Sequence, residues 1–348
     1  MTSPLPPLAA ALIALTLGAC SGAGARPPAP SPRPVARAAT PSPGPHPSPA
    51  PHPRPPSPKL PPYAIEALRA RSYTGGVVTL GARLGGTAQY TTYRITWPSQ
   101  GGTMTGEADI PAGRGPFPVA VVDHGYIPAA VYRPGQDSTK YADAYAAAGI
   151  LTVAPDYPGY AGSAPGEPDL VPIEAEAVEV MDLIGALPTL PQADPGRVSV
   201  SGHSNGGGVA ELVMVIDARV RSVVLYAPVS TDMADNARKW WTRHPGGTGP
   251  LGSPDTDPAA YALISPRGFL RAGGPPVLVL QGEADEQIPA EWTAATVAAL
   301  RAADVTTRFV SFPGATHNLT GADLARANAL AVDWMRRCTT AACSMPPS

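Results

Sequence analysis

From about residue 63 onward, short apolar runs alternate with longer stretches of helical spacing. Three early runs, 77–81, 89–97 and 104–110, are joined by Gly-rich turns and read as antiparallel strands. The next run, 118–123, is almost continuously apolar, as expected of a strand buried on both faces. Further strands are predicted over 150–154, 197–201, 220–226, 277–280 and 307–312. Between them the spacing predicts helices over 137–148, with Gly149 as its stop, and over 171–187, 206–216 and 291–303. An amphipathic helix over 322–337 closes the series. Strands that alternate with helices imply an α/β class: a mostly parallel, doubly wound sheet preceded by antiparallel strands. No internal repeat of about 20–50 residues is visible, which excludes a solenoid or a propeller.

Composition divides the chain. It has 348 residues, 44% hydrophobic and 15% charged, with a net charge of −2. That suits one or two globular domains. No cluster of Lys and Arg marks a surface for phosphates, so nucleic acid is not an expected partner. Of the 46 prolines, 17 fall within 26–62. Pro fixes φ and removes an N–H donor, so this segment builds neither helix nor sheet. It reads as a stiff spacer within 21–62, reaching at most roughly 110 Å at about 3.1 Å per residue. The folded domain is then expected over 63–348.

Residues 1–20 read as an export signal. The apolar stretch 8–19 has 12 residues, too few to cross a bilayer but suited to a signal peptide. It ends in Leu17-Gly18-Ala19-Cys20, which resembles the bacterial lipobox. That resemblance implies cleavage before Cys20, a diacylglyceryl group on its sulfur, and membrane attachment only through this lipid. The segment 1–7 has no Lys or Arg, unlike most such signals, and plain secretion is the alternative. In an oxidising compartment Cys338 and Cys343 can pair; two free thiols are the other reading. The cysteines and histidines do not cluster at metal spacing, and no metal or organic cofactor is expected.

The strongest chemical signal is Gly202-His203-Ser204-Asn205-Gly206, a Gly-x-Ser-x-Gly pattern between a predicted strand and a predicted helix. A Ser there sits on a sharp turn with its hydroxyl pushed outward. Gly202 and Gly206 flank it because a Cβ at either place would collide with neighbouring backbone. The helix start adds partial positive charge where an oxyanion would form. A serine nucleophile needs a base and an acid, in the order Ser, acid, His for this arrangement. Elimination among the six histidines leaves His317, between the last strand and the last helix. Asp285 follows the strand 277–280 at the carboxyl edge of the sheet, with Glu283, Glu286 and Asp232 as rivals. The oxyanion donors are expected to be the backbone amides of Asn205 and of Tyr126, in the loop His124-Gly125-Tyr126. The His124 side chain is expected to be structural.

Several stretches together carry a family resemblance: Asp123-His-Gly-Tyr126, Ala154-Pro-Asp-Tyr-Pro-Gly159, Gly202-His-Ser-Asn-Gly-Gly207, Gly282-Glu-Ala-Asp285 and Gly314-Ala-Thr-His317. Over about 87–337 the chain resembles an α/β-hydrolase of the prolyl oligopeptidase catalytic-domain type. It is also similar to dienelactone-hydrolase-like esterases. The resemblance implies an α/β-hydrolase fold, a Ser204–Asp285–His317 triad, and Tyr126 and Asn205 as oxyanion donors. It implies an exported serine hydrolase that cleaves ester or peptide bonds through an acyl-enzyme. A carboxylesterase or acyltransferase of the cell envelope is the alternative, and a non-catalytic binding lipoprotein a distant one. Two departures stand out. No propeller precedes the catalytic domain, and Tyr126 replaces the second Gly that many peptidases of this type carry after His-Gly. The first removes the gating that limits substrate size in those peptidases, and the second fits smaller esterase-like relatives and argues against peptidase activity. The segment 230–271, with Trp240, Trp241, His244 and Tyr261, is long enough for a small cap over the site. Two tryptophans anchoring a surface loop would read the same way.

Overall fold

The computed structural model describes residues 60–243, 247–339 and 343. The expected signal, Cys20, nearly all of the spacer and His244 lie outside the described residues. Among these, no helix is long and apolar enough to cross a membrane.

The strands are β1 (Thr79–Gly86), β2 (Tyr90–Ser99), β3 (Gly102–Pro111), β4 (Phe117–Asp123) and β5 (Leu151–Pro155). They continue as β6 (Ala193–His203), β7 (Val220–Tyr226), β8 (Val277–Gly282) and β9 (Thr307–Phe312). They form one sheet in the order β1-β2-β3-β5-β4-β6-β7-β8-β9. β1 to β3 pair antiparallel, as does β3 with β5; from β5 through β9 every pairing is parallel. Crossover helices accompany the parallel part, α2 (Thr139–Ala147), α3 (Pro172–Ala186), α4 (Asn205–Ile216) and α7 (Ala290–Ala302), and α8 (Gly321–Cys338) follows the last strand. This is the α/β-hydrolase architecture expected from the sequence.

Alternation along the strands explains why two cores exist. Val119 and Val121 of β4 face one core with α3, α4 and α7, while Ala120 and Val122 face the other with α2 and α8. Both faces of the parallel strands are therefore apolar, and β8 is buried at every residue. β1 is different: seven of its eight residues are exposed, so no apolar pattern marks it. It runs 79–86, not the expected 77–81, and it is an edge strand of the sheet.

Three short helices escaped the reading of spacing: α1 (Ile65–Arg69), α5 (Met233–Lys239) and α6 (Pro258–Ile264). Each is too short for a periodic signal, but two begin on caps that sequence can carry. Asp232 accepts from the Ala234 amide at the start of α5, and Asp257 from the Ala260 amide at the start of α6, with Pro258 in the first turn. The helix expected from residue 137 starts at Thr139, because Asp137 takes φ 69° and cannot continue a right-handed helix. At the chain end, the sulfurs of Cys338 and Cys343 are bonded, with Cα atoms 4.3 Å apart.

Candidate active site

β6 ends at His203 and α4 begins at Asn205, leaving Ser204 alone at the bend with φ 55° and ψ −116°. Such a conformation costs a non-Gly residue about 1–3 kcal/mol and persists only where the surroundings hold it. Here they do. The Ser204 amide donates to Tyr226 O at 2.9 Å, and the Ser204 carbonyl accepts from the amides of Gly207 and Val229. The two flanking glycines leave no room for side chains. A Cβ on Gly202 would lie 2.0 Å from Gly206 O, and one on Gly206 would lie 2.3 Å from Asp123 O.

Asp285 follows β8 and His317 follows β9, so neighbouring parallel strands deliver both at the same sheet edge. The two loops are tied by the Ala284 amide, which donates to Ala315 O at 2.9 Å. His317 Nδ1 lies 2.9 Å from Asp285 Oδ2, and each side chain is 3% exposed. That oxygen also accepts from Gln281 Nε2, while Oδ1 accepts from the amides of Gln287 and Ile288. Burial alone would raise the Asp285 pKa. The His317 bond and the two amides outweigh it and hold the carboxyl below its ordinary range. An ionised Asp285 fixes the proton of a neutral His317 on Nδ1 and leaves Nε2 with a lone pair.

Ser204 and His317 line one cavity of about 520 Å³ together with Tyr126, Asn205, Trp240 and Trp241. Among the described residues the Ser204 hydroxyl makes no hydrogen bond to His317; such bonds are often long in a ligand-free site and tighten on substrate binding. Among the described residues the amides of Tyr126 and Asn205 donate to no protein acceptor, whereas the Gly125 amide is taken by Asp137 Oδ2 at 2.8 Å. The Tyr126 side chain is 67% exposed at the cavity rim.

The rival acids sit elsewhere. Asp232 caps α5 and pairs with Arg267. Glu283 accepts from Ser311, and Glu286 accepts from the His317 backbone amide at 3.3 Å and from Gln287 Nε2 at 3.5 Å, neither from the imidazole. His124 is fully buried, stacked on Tyr132 and against Tyr157, with Nδ1 2.7 Å from Gly125 O. Burial lowers its pKa to about 4, so it is a neutral structural group at neutral pH.

Within 230–271, Trp240 and Trp241 follow α5 directly and form part of the cavity wall. Trp240 meets Trp292 of α7 edge to face, with centroids 5.5 Å apart. Tyr261 is not at the cavity. It is 1% exposed in the core, its hydroxyl donating to Gly252 O. Sequence reasoning missed three participants. The spacing places Asp137 in a predicted helix, His203 lies inside the Gly-x-Ser-x-Gly pattern, and Glu176, which accepts from Asn205 Nδ2 at 2.8 Å, falls among the glutamates of another predicted helix.

The sequence profile of the prolyl oligopeptidase family matches residues 139–342. No curated protein matches the sequence. Among solved structures, acetyl xylan esterase 1 from Thermoanaerobacterium sp. superposes with a TM-score of 0.55 at 19% identity, covering 77% of this chain and 90% of the esterase. An S-formylglutathione hydrolase from Agrobacterium tumefaciens gives 0.54 at 18% identity, covering 76% and 98%. A putative dipeptidyl aminopeptidase IV from Bacteroides ovatus gives 0.59 at 17% identity, covering 73% of this chain but only 36% of that one. At such identities the likeness speaks for the fold. The family profile spans both the strand-turn-helix around Ser204 and the loops of Asp285 and His317. The chain belongs to the prolyl oligopeptidase family and is a serine hydrolase of the α/β-hydrolase fold.

Proposed function

We propose that this protein hydrolyses carboxylic esters of modest size, and more slowly amides, through an acyl-enzyme on Ser204. The observation that carries the reading is Ser204 on a strained bend in one cavity with His317, whose Nδ1 is held by Asp285. His317 Nε2 takes the Ser204 proton as Oγ attacks the substrate carbonyl carbon. The resulting oxyanion is held by the Tyr126 and Asn205 amides. Collapse breaks the bond to the leaving alcohol or amine, which receives the proton from His317. Water then repeats the sequence on the acyl-enzyme and releases the acid. Asp285 keeps the imidazole oriented and stabilises its positive form without taking its proton.

Ester preference is supported by coverage. Two neighbours matched along nearly their whole length are named an esterase and an S-formylglutathione hydrolase, whereas the dipeptidyl aminopeptidase is matched over about a third. Export with a lipid on Cys20, and a proline-rich spacer that holds the domain off the membrane, complete the proposal.

A fluorophosphonate probe tests the site. Near pH 8 it is expected to label the folded protein once, and peptide mapping to find the adduct on Ser204. Folded protein left unlabelled, or labelled elsewhere, refutes the reading. Rates on p-nitrophenyl esters set against peptidyl amides then decide the preference.

A further inference from the structure

A second histidine–carboxylate pair lies against the first, and the chemistry above leaves it unused. His203, the last residue of β6, sets Nδ1 2.7 Å from Asp137 Oδ2. The same oxygen accepts from the Gly125 amide at 2.8 Å. Asp137 Oδ1 pairs with Lys140 Nζ at 2.8 Å, and Lys140 also reaches Asn318 Oδ1 at 3.1 Å. On the far side of the ring, His203 Nε2 lies 3.3 Å from the His317 carbonyl oxygen. The two imidazoles have centroids 4.7 Å apart, and His203 is 4% exposed.

Each partner of His203 can only accept. A carbonyl oxygen has no proton to give. Burial would push the Asp137 carboxyl up, but the bonds from His203 and Lys140 win and hold it well below the ordinary range, so it is a carboxylate. A proton on Nδ1 donates to Asp137 and one on Nε2 to the His317 carbonyl, so either ring nitrogen ties the ring to one side of the site. The φ of 69° at Asp137 is a strained choice for a non-Gly residue, held in place by these bonds. There is also no slack at the loop. A Cβ on Gly125 would lie 3.0 Å from Asp137 Oδ2, 3.2 Å from His203 Nδ1 and 3.3 Å from Ser204 Cβ.

We infer that Asp137 and His203 are positioning residues that lock the Tyr126 amide and the His317 loop onto the strand end that carries Ser204. Asp137 occupies the Gly125 amide, which fixes the peptide that follows and leaves the Tyr126 amide for the oxyanion. His203 bridges from Asp137 to the backbone of the base itself. The inference rests on the proposed acyl-transfer reading. In that reading one misplaced oxyanion donor costs a factor of about 10²–10³ in kcat.

The test uses His203→Phe, which keeps a ring but removes both bonds, together with Asp137→Ala and Asp137→Asn. Active sites are counted by fluorophosphonate titration, and kcat is expressed per labelled site on an activated ester. His203→Phe and Asp137→Ala are expected to lose about 10- to 100-fold in kcat with KM within about two-fold. A boronic acid that mimics the tetrahedral state should weaken by the same factor. Asp137→Asn, which keeps an oxygen for the Gly125 amide, should recover part of the loss. Variants whose kcat per site is unchanged, or whose loss lies only in KM or in the number of labelled sites, overturn the inference and leave the reading of Ser204 standing. A wild-type protein that the probe does not label overturns both.

Discussion

Gly202 and Gly206 are in backbone contact across the Ser204 bend: a Cβ on the first would sit 2.0 Å from the carbonyl oxygen of the second. No side-chain rotation relieves an overlap with a carbonyl. Gly206→Ala, whose Cβ would lie 2.3 Å from Asp123 O and 2.6 Å from His124 O, is expected to destabilise by at least about 3 kcal/mol and to abolish labelling at Ser204. Urea unfolding of the variant checks it; an unchanged midpoint would mean that the bend can open without cost.

Removing the hydroxyl should leave the fold alone and take the activity. Ser204→Ala is expected to lower kcat by on the order of 10⁶, as triad serines do in subtilisin, or roughly 8 kcal/mol of barrier. Asp285→Asn should cost about 10⁴, because the amide offers His317 the wrong partner and favours the wrong tautomer. Steady-state rates with circular dichroism as a control on folding decide both. A loss below ten-fold for either would contradict its role.

Acid should silence the enzyme through one proton. The bonds from His317, Ile288 and Gln287 hold Asp285 below the usual carboxylate range against the effect of burial, so it stays ionised at mildly acid pH and adds no proton of its own to the profile. The plot of log kcat/KM against pH is expected to fall with unit slope on the acid side. A slope near two would show a second essential carboxylate titrating in the same window.

Stability should fall towards alkaline pH. Glu174 is fully buried, and burial raises its pKa to about 8 despite the bond from the Val171 amide. A carboxyl raised in the folded state contributes most below its unfolded pKa of about 4.3 and loses that contribution as pH climbs through about 8. Glu179 and Glu211, buried without hydrogen-bond partners among the described residues, shift the same way through burial. Glu174→Gln keeps an oxygen for the Val171 amide and cannot ionise. At pH 9 it should melt about 5 °C above wild type, and near pH 5 the two should agree. Equal melting curves at pH 9 would show that ionised Glu174 is solvated by local opening.

The tryptophan wall should set acyl preference. Trp241→Ala is expected to raise KM about ten-fold for long or aromatic acyl esters and to leave acetyl esters nearly unchanged. A uniform rise across acyl lengths would place Trp241 outside the acyl path.

Much of this architecture was legible because parallel strands buried on both faces write themselves as apolar runs. β7 and β9 occupy the predicted spans, and β8 extends its span by two residues. β1 was misplaced for the opposite reason: its side chains meet water, so nothing constrains their polarity. The bend at Ser204 could be read because the glycines on either side of it answer a local clash. Asp285 and His317 could be chosen because each follows a strand at the same sheet edge. Asp137 and His203 could not. Their partnership joins residues 66 apart through a backbone φ that no residue type announces.

Trp240 leans edge-on against Trp292, and the Lys239 ammonium lies over both rings, so the segment between β7 and β8 and the helix after β8 share one aromatic seam. Anyone who transplants that segment from a relative to retune selectivity would strand Trp292 without its mate. The exchangeable module is therefore discontinuous, residues 230–271 together with position 292, and chimaeras that respect only the contiguous stretch should misfold at this joint before they reveal anything about substrates.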